Sequence, residues 1–83
     1  MDVALGKLRW RCRRGMKELD ALLTRYVDEE YATASAEHRR AFVDLLELQD
    51  PLLAAYVLGR ESPPEGPVAE LIARIAAGGA PGR

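Results

Sequence analysis

The sequence predicts an all-α fold, a compact bundle of four to five short helices with mostly antiparallel neighbours. Glycine and proline divide the 83 residues into helix-sized pieces, and apolar residues within those pieces recur at spacings of three and four. No stretch sustains the alternation of β-branched and aromatic residues that a strand requires. Connections of a few residues favour antiparallel packing of successive helices. A chain of this length forms a single domain, residues 1–83, with residues 1–4 and 78–83 expected to fray.

The first helix is expected over about Leu5 to Arg14, with Leu5, Leu8 and Cys12 on one stripe and Gly15 as its stop. A helical wheel places Trp10 and Arg14 on the face opposite Leu8 and Cys12, which makes this helix apolar or aromatic on both sides. The second helix, about Met16 to Tyr31, is the clearest amphipathic segment. Met16, Leu19, Leu23, Tyr26 and Val27 face inward, while Lys17, Glu18, Ala21, Arg25 and Asp28 face away.

The third helix starts behind Ser35 as N-cap, with Glu37 near the positive end of the helix dipole, and carries His38, Phe42, Leu45 and Leu46 on one side. Asp50 is the expected N-cap of a short fourth helix, Leu52 to Leu58, with Pro51 in its first turn and Gly59 closing it. Ser62-Pro63-Pro64-Glu65-Gly66-Pro67 reads as a stiff, extended connector. The fifth helix, about Val68 to Ala77, turns Val68, Leu71, Ile72 and Ile75 inward and Glu70 and Arg74 outward as an i,i+4 pair, and Ala76 to Arg83 reads as a frayed tail.

The formal net charge is −1, but the charges are segregated. Residues 7–17 hold Lys7, Arg9, Arg11, Arg13, Arg14 and Lys17 without an acid, and the remainder of the chain is acidic. Such a field orients a partner while the acidic body opposes phosphates. The single cysteine excludes an internal disulfide, and one cysteine with one histidine cannot make an ordinary structural zinc site. The longest apolar run, Leu52 to Leu58, is far short of the roughly 20 residues of a membrane span. The expectation is a cytoplasmic protein with no membrane insertion.

No catalytic set is visible. Cys12 has only His38 to activate it and lies on an apolar stripe, which suits core packing. Asp28-Glu29-Glu30 point in different directions on a helix and cannot converge on one cation, so a solvated helix end is expected there. The glycines are too scattered to cradle a phosphate. The expectation is a protein that is not an enzyme, has no metal site and stably holds no cofactor.

Two features suit partner binding. Arg9-Trp10-Arg11-Cys12-Arg13-Arg14 mixes arginines with an aromatic, the residue types enriched at interface hot spots; spacing alone leaves Trp10 open between core and interface. Arg14-Gly15-Met16-Lys17-Glu18 reads as a helix junction, with Gly15 tolerating a positive φ and Glu18 able to bond back to exposed N–H groups. The same junction can also project Arg14 and Glu18 onto one surface, where bare Gly15 admits a partner's backbone.

Trp10-Arg11-Cys12-Arg13-Arg14-Gly15-Met16-Lys17-Glu18-Leu19-Asp20 resembles the signature of the small assembly factors for the succinate dehydrogenase flavoprotein, whose motif is Arg-Gly-x-x-Glu. The resemblance extends through Glu30-Tyr31, Leu45-Leu46-Glu47 and Asp50-Pro51 to the last helix. It departs at Gln49, where some relatives carry an acid, and in the short tail after Ala77. The resemblance implies a helical chaperone that binds the flavoprotein subunit of succinate dehydrogenase, and in bacteria that of fumarate reductase, and promotes covalent attachment of FAD. It further implies that a histidine of the flavoprotein attacks the 8α-methyl of the flavin, so that FAD belongs to the partner.

Arg14, Gly15 and Glu18 carry the motif and are the expected partner-binding residues, with Trp10 and Arg11 beside them. Nucleic acid is not an expected partner under this reading. The alternative is a small regulator, antitoxin-like or nucleic-acid-binding, that uses residues 7–17 on phosphates and binds with a steep salt dependence. Only Arg39 and Arg40 on the third helix are candidate base readers for it. A generic scaffold protein is the remaining option.

Overall fold

Five α-helices and one 3₁₀ turn succeed one another in the computed structural model, which describes residues 3–78. They are α1 (Val3–Arg11), α2 (Lys17–Glu29), the 3₁₀ turn Tyr31–Thr33, α3 (Ala36–Leu46), α4 (Asp50–Val57) and α5 (Pro67–Gly78), with no strand among the described residues. The all-α expectation is met, and the radius of gyration of 11.8 Å agrees with the about 12 Å that a folded chain of this length should have.

The apolar stripes close on one core. Leu19, Leu23, Tyr26 and Val27 of α2 meet Ala41, Phe42, Leu45 and Leu46 of α3, Leu53, Ala54 and Val57 of α4, and Leu71, Ile72 and Ile75 of α5. Phe42 lies between two tyrosines, with ring centroids 5.0 Å from Tyr26 and 5.8 Å from Tyr31. α5 packs against α2, α3 and α4, whereas α1 packs on α2, where Leu8 and Cys12 seal its edge.

Several boundaries differ from expectation, each because hydrogen bonds go elsewhere. α1 stops at Arg11, not Arg14: the Arg13 N–H tightens onto the Trp10 carbonyl (3.1 Å), and the N–H groups of Arg14 and Gly15 turn to the Asp20 carboxylate. Arg14 therefore lies outside the helix, and the wheel that paired it with Trp10 does not apply. α2 ends at Glu29, with Tyr31 in the 3₁₀ turn that follows.

Ser35 caps α3 as expected, its Oγ accepting the His38 N–H at 3.0 Å. Asp50 is not the N-cap of α4. Gln49 occupies that position without a side-chain bond, because Asp50 is the first helical residue and its carboxylate is engaged by Arg14. Gly59 closes α4 at φ +82°, with the Gly59 and Arg60 N–H groups donating to the carbonyls of Tyr56 and Ala55, which is the Schellman arrangement.

α5 begins at Pro67 and runs to Gly78, past the expected start of the frayed tail. α1 likewise includes Val3 and Ala4. The rest of the expected fraying, at residues 1–2 and 79–83, lies outside the described residues. Glu70 and Arg74 do not pair with each other: Glu70 meets His38 Nε2 at 3.1 Å, and Arg74 reaches Glu30 at 2.8 Å. Both side chains thus tie α5 to other elements instead of decorating its outer face.

Candidate functional site

The turn between α1 and α2 is built around Gly15, whose φ of +83° lies in the left-handed region that side chains with a Cβ disfavour. Its α-carbon is open, with nothing within 4 Å of where a Cβ would stand. Asp20, in the first turns of α2, closes the loop from below: its two carboxylate oxygens accept the N–H groups of Arg14 (2.9 Å) and Gly15 (3.0 Å). This is the bond-back role expected of Glu18, and Glu18 does not perform it. Glu18 is exposed, with no hydrogen-bond partner among the described residues. An acid one helical turn into α2, as Asp20 is, was the available signal for the capping group.

Arg14 turns inward, so the junction does not project Arg14 and Glu18 onto one surface. Its side chain is 15% exposed, and its guanidinium spans three helix ends. Nε donates to the Arg11 carbonyl at the end of α1 (2.9 Å). Nη2 donates to the Leu46 carbonyl at the end of α3, and Nη1 to the Leu48 carbonyl (3.5 Å) and to Asp50 Oδ1 at the start of α4 (2.7 Å). The planar fork of arginine is the side chain that can serve such divergent acceptors.

Trp10 resolves to the surface. It is 71% exposed, the exposed large hydrophobic residue among those described, and lines a groove of about 420 Å³ with Gly6, Arg9, Arg13 and Thr24. An exposed tryptophan flanked by arginines is an unusual surface for a domain that has buried its other large apolar groups. Arg11 is half-buried and pairs with Glu47 at 2.7 Å.

The basic segment is partly neutralised from within. Arg9 pairs with Asp28 (3.0 Å), Arg11 with Glu47 and Arg14 with Asp50, each tying the front of the chain to its acidic body. These pairs weaken the claim of residues 7–17 on phosphates. Nor is Asp28-Glu29-Glu30 simply a solvated end. Asp28 and Glu29 are exposed but ion-paired, and half-buried Glu30 bridges Arg25 (2.8 Å) and Arg74 (2.8 Å) between α2 and α5. Burial pushes the Glu30 carboxyl up, but hydrogen bonds from Arg25 and Arg74 outweigh it and hold the group below the ordinary carboxylate range.

The chemically reactive residue types are engaged structurally. Burial pushes the Cys12 thiol up to about 11, only partly opposed by the Arg14 charge, so it is a protonated core residue at neutral pH. His38 is held by its backbone cap to Ser35 and its ring contact with Glu70. No group of three or more His, Cys, Asp and Glu residues among those described could hold a metal ion. No helix among the described residues is long and apolar enough to cross a membrane.

The described residues thus form a small helical bundle with Cys12 buried in its core and with Trp10, Gly15 and Glu18 exposed. Residues 6–78 match the family described as the flavinator of succinate dehydrogenase, and the chain belongs to that family. It is 39% identical over 77 residues to the FAD assembly factor SdhE of Shewanella oneidensis, covering 93% of this chain and 94% of that protein. It is 38% identical over 73 residues to the protein of the same name from Coxiella burnetii, covering 88% and 89% of the two chains. With the counterpart from Methylococcus capsulatus it shares 43% identity over 72 residues, 87% of each chain.

Proposed function

We propose that this chain binds the flavoprotein subunit of succinate dehydrogenase and promotes covalent attachment of FAD to it, as an assembly chaperone in the cytoplasm. The fumarate reductase flavoprotein is a second client of the same surface. Family membership over residues 6–78 supports this reading against the nucleic-acid alternative, as does the internal pairing of Arg9, Arg11 and Arg14. The observation that carries it is geometric: positive-φ Gly15 stands open to solvent, with exposed Trp10 before it and exposed Glu18 after it.

FAD stays with the flavoprotein, and the bond-forming atoms are the partner's own. This chain contributes a face that fits one arrangement of the larger subunit better than another, because a binder with equal affinity for both arrangements shifts no population. Trp10, Gly15 and Glu18 make the contact, with Arg11 at its edge, and Arg14 belongs to the same site.

Deleting the gene in its host tests the reading. The flavin fluorescence at the mass of the succinate dehydrogenase subunit in a denaturing gel should disappear and return with the wild-type gene. Undiminished fluorescence in the deletion strain would exclude the proposed function.

A further inference from the structure

Arg14 is the one member of the Arg-Gly-x-x-Glu motif whose functional group is already occupied. Its guanidinium lies on the carbonyls of Arg11, Leu46 and Leu48 and on Asp50, and its side chain is largely buried. A partner could reach those donors only by breaking bonds that join α1, α3 and α4. On the opposite flank the Arg14 and Gly15 N–H groups are held by Asp20. The peptide joining Arg14 to Gly15 is thus fixed from two sides, by the Arg14 side chain above and the Asp20 carboxylate below, while Gly15 and Glu18 remain exposed.

We propose that Arg14 acts in flavoprotein recognition as a positioning residue: clamped to the α3–α4 turn, it sets the orientation in which Gly15 and Glu18 meet the partner. This rests on the docking role of the Gly15 turn proposed above. The clamp also makes Asp50 part of the recognition machinery, although its carboxylate sits at the start of α4 and acts on the turn through Arg14. A turn held in its binding geometry before contact loses less conformational freedom on association, which is how a residue without a contact of its own contributes to affinity.

The distinguishing experiment measures two things on Arg14→Gln, Arg14→Lys, Asp50→Ala and the Arg14→Gln/Asp50→Ala pair, each verified as folded by circular dichroism. The first is amide hydrogen exchange of Arg14 and Gly15 in the free protein by NMR. The second is affinity for the purified flavoprotein subunit. Loss of charged hydrogen bonds at a half-buried site should speed exchange in Arg14→Gln about tenfold and weaken binding by a similar factor. Asp50→Ala should show a smaller change in both readouts, and the paired variant should match Arg14→Gln alone, because Asp50 has no other route to the turn. Arg14→Lys, which keeps the charge but not the fork, should recover part of the protection and part of the affinity.

The proposal is overturned if Arg14→Gln leaves Gly15 exchange unchanged, since Arg14 then does not hold the turn, or if it weakens binding while Asp50→Ala does not, which makes Arg14 a direct contact. Additive losses in the paired variant overturn it as well. Failure of the unsubstituted chain to bind the flavoprotein removes the docking reading and the recognition role with it, and the exchange data still report separately on the clamp.

Discussion

Gly15 illustrates how a single residue joins local conformation to recognition. Its positive φ makes any side chain costly there, by about 1–2 kcal/mol for alanine, even though the fold itself leaves room for one. Asparagine tolerates this region better than alanine. Gly15→Asn should therefore melt above Gly15→Ala, while both bind the flavoprotein more weakly than wild type because a Cβ obstructs close approach of its backbone. Gly15→Arg should abolish flavinylation. Calorimetry separates the two effects from binding, and full affinity in Gly15→Asn would show that only the backbone angle matters. Cys12 gives a simpler test. With its thiol pushed up to about 11 by burial, native protein should resist alkylation at neutral pH and react promptly in denaturant. The neutral thiol is the form the fold accommodates, so its contribution is complete below the ordinary value of 9.0 and declines as the pH rises towards about 11.

Helices here are joined by side chains that reach across, more than by pairs along a single face. Glu30 is the clearest case, receiving Arg25 from its own helix end and Arg74 from α5, with Arg25 also donating to the Arg74 carbonyl (3.4 Å). Removing its charge in Glu30→Gln should cost about 1.5–3 kcal/mol at pH 7, the range for hydrogen bonds to charged groups. Because the folded-state carboxyl sits below its ordinary 4.5, its stabilisation is present above that value and is lost as the pH falls through the lower, folded-state one. The stability gap between wild type and Glu30→Gln should accordingly shrink in acid. Urea titrations at neutral and acidic pH measure it, and a gap independent of pH would mean that the ionised carboxylate is not the source. The spacing of Glu70 and Arg74 suggested a local pair, but a helix-surface pair is worth only a few tenths of a kcal/mol. Better-placed partners, Glu30 just past the end of α2 and His38 on α3, displaced it.

Considered as one body, the molecule concentrates its stability in a single small core. Phe42 is fully buried between Tyr26 and Tyr31, and Phe42→Ala should cost about 3–5 kcal/mol, a large share of what a domain of this size possesses. Thermal melting reads this directly, and a loss below about 1 kcal/mol would place the centre of the core elsewhere. The charge segregation also has meaning only in the assembled fold. Arg9, Arg11 and Arg14 pair with acids elsewhere in the chain, while Lys7, Arg13 and Lys17 stay exposed together with Trp10 and Glu18.

Helix periodicity, Ser35 as cap, Gly59 as stop and the apolar stripes were legible in the sequence, because each depends on neighbours within one or two turns. So was the family, through the resemblance that the Arg14-Gly15-x-x-Glu18 string carries. The bonding partners of Arg14, the role of Asp20, the bridging by Glu30 and the exposure of Trp10 were decided only when distant segments met. A carboxylate or guanidinium on a helix surface can satisfy itself locally, in water or across a gap. Which alternative wins depends on what the packed core brings within about 3 Å of it, and no local spacing encodes that.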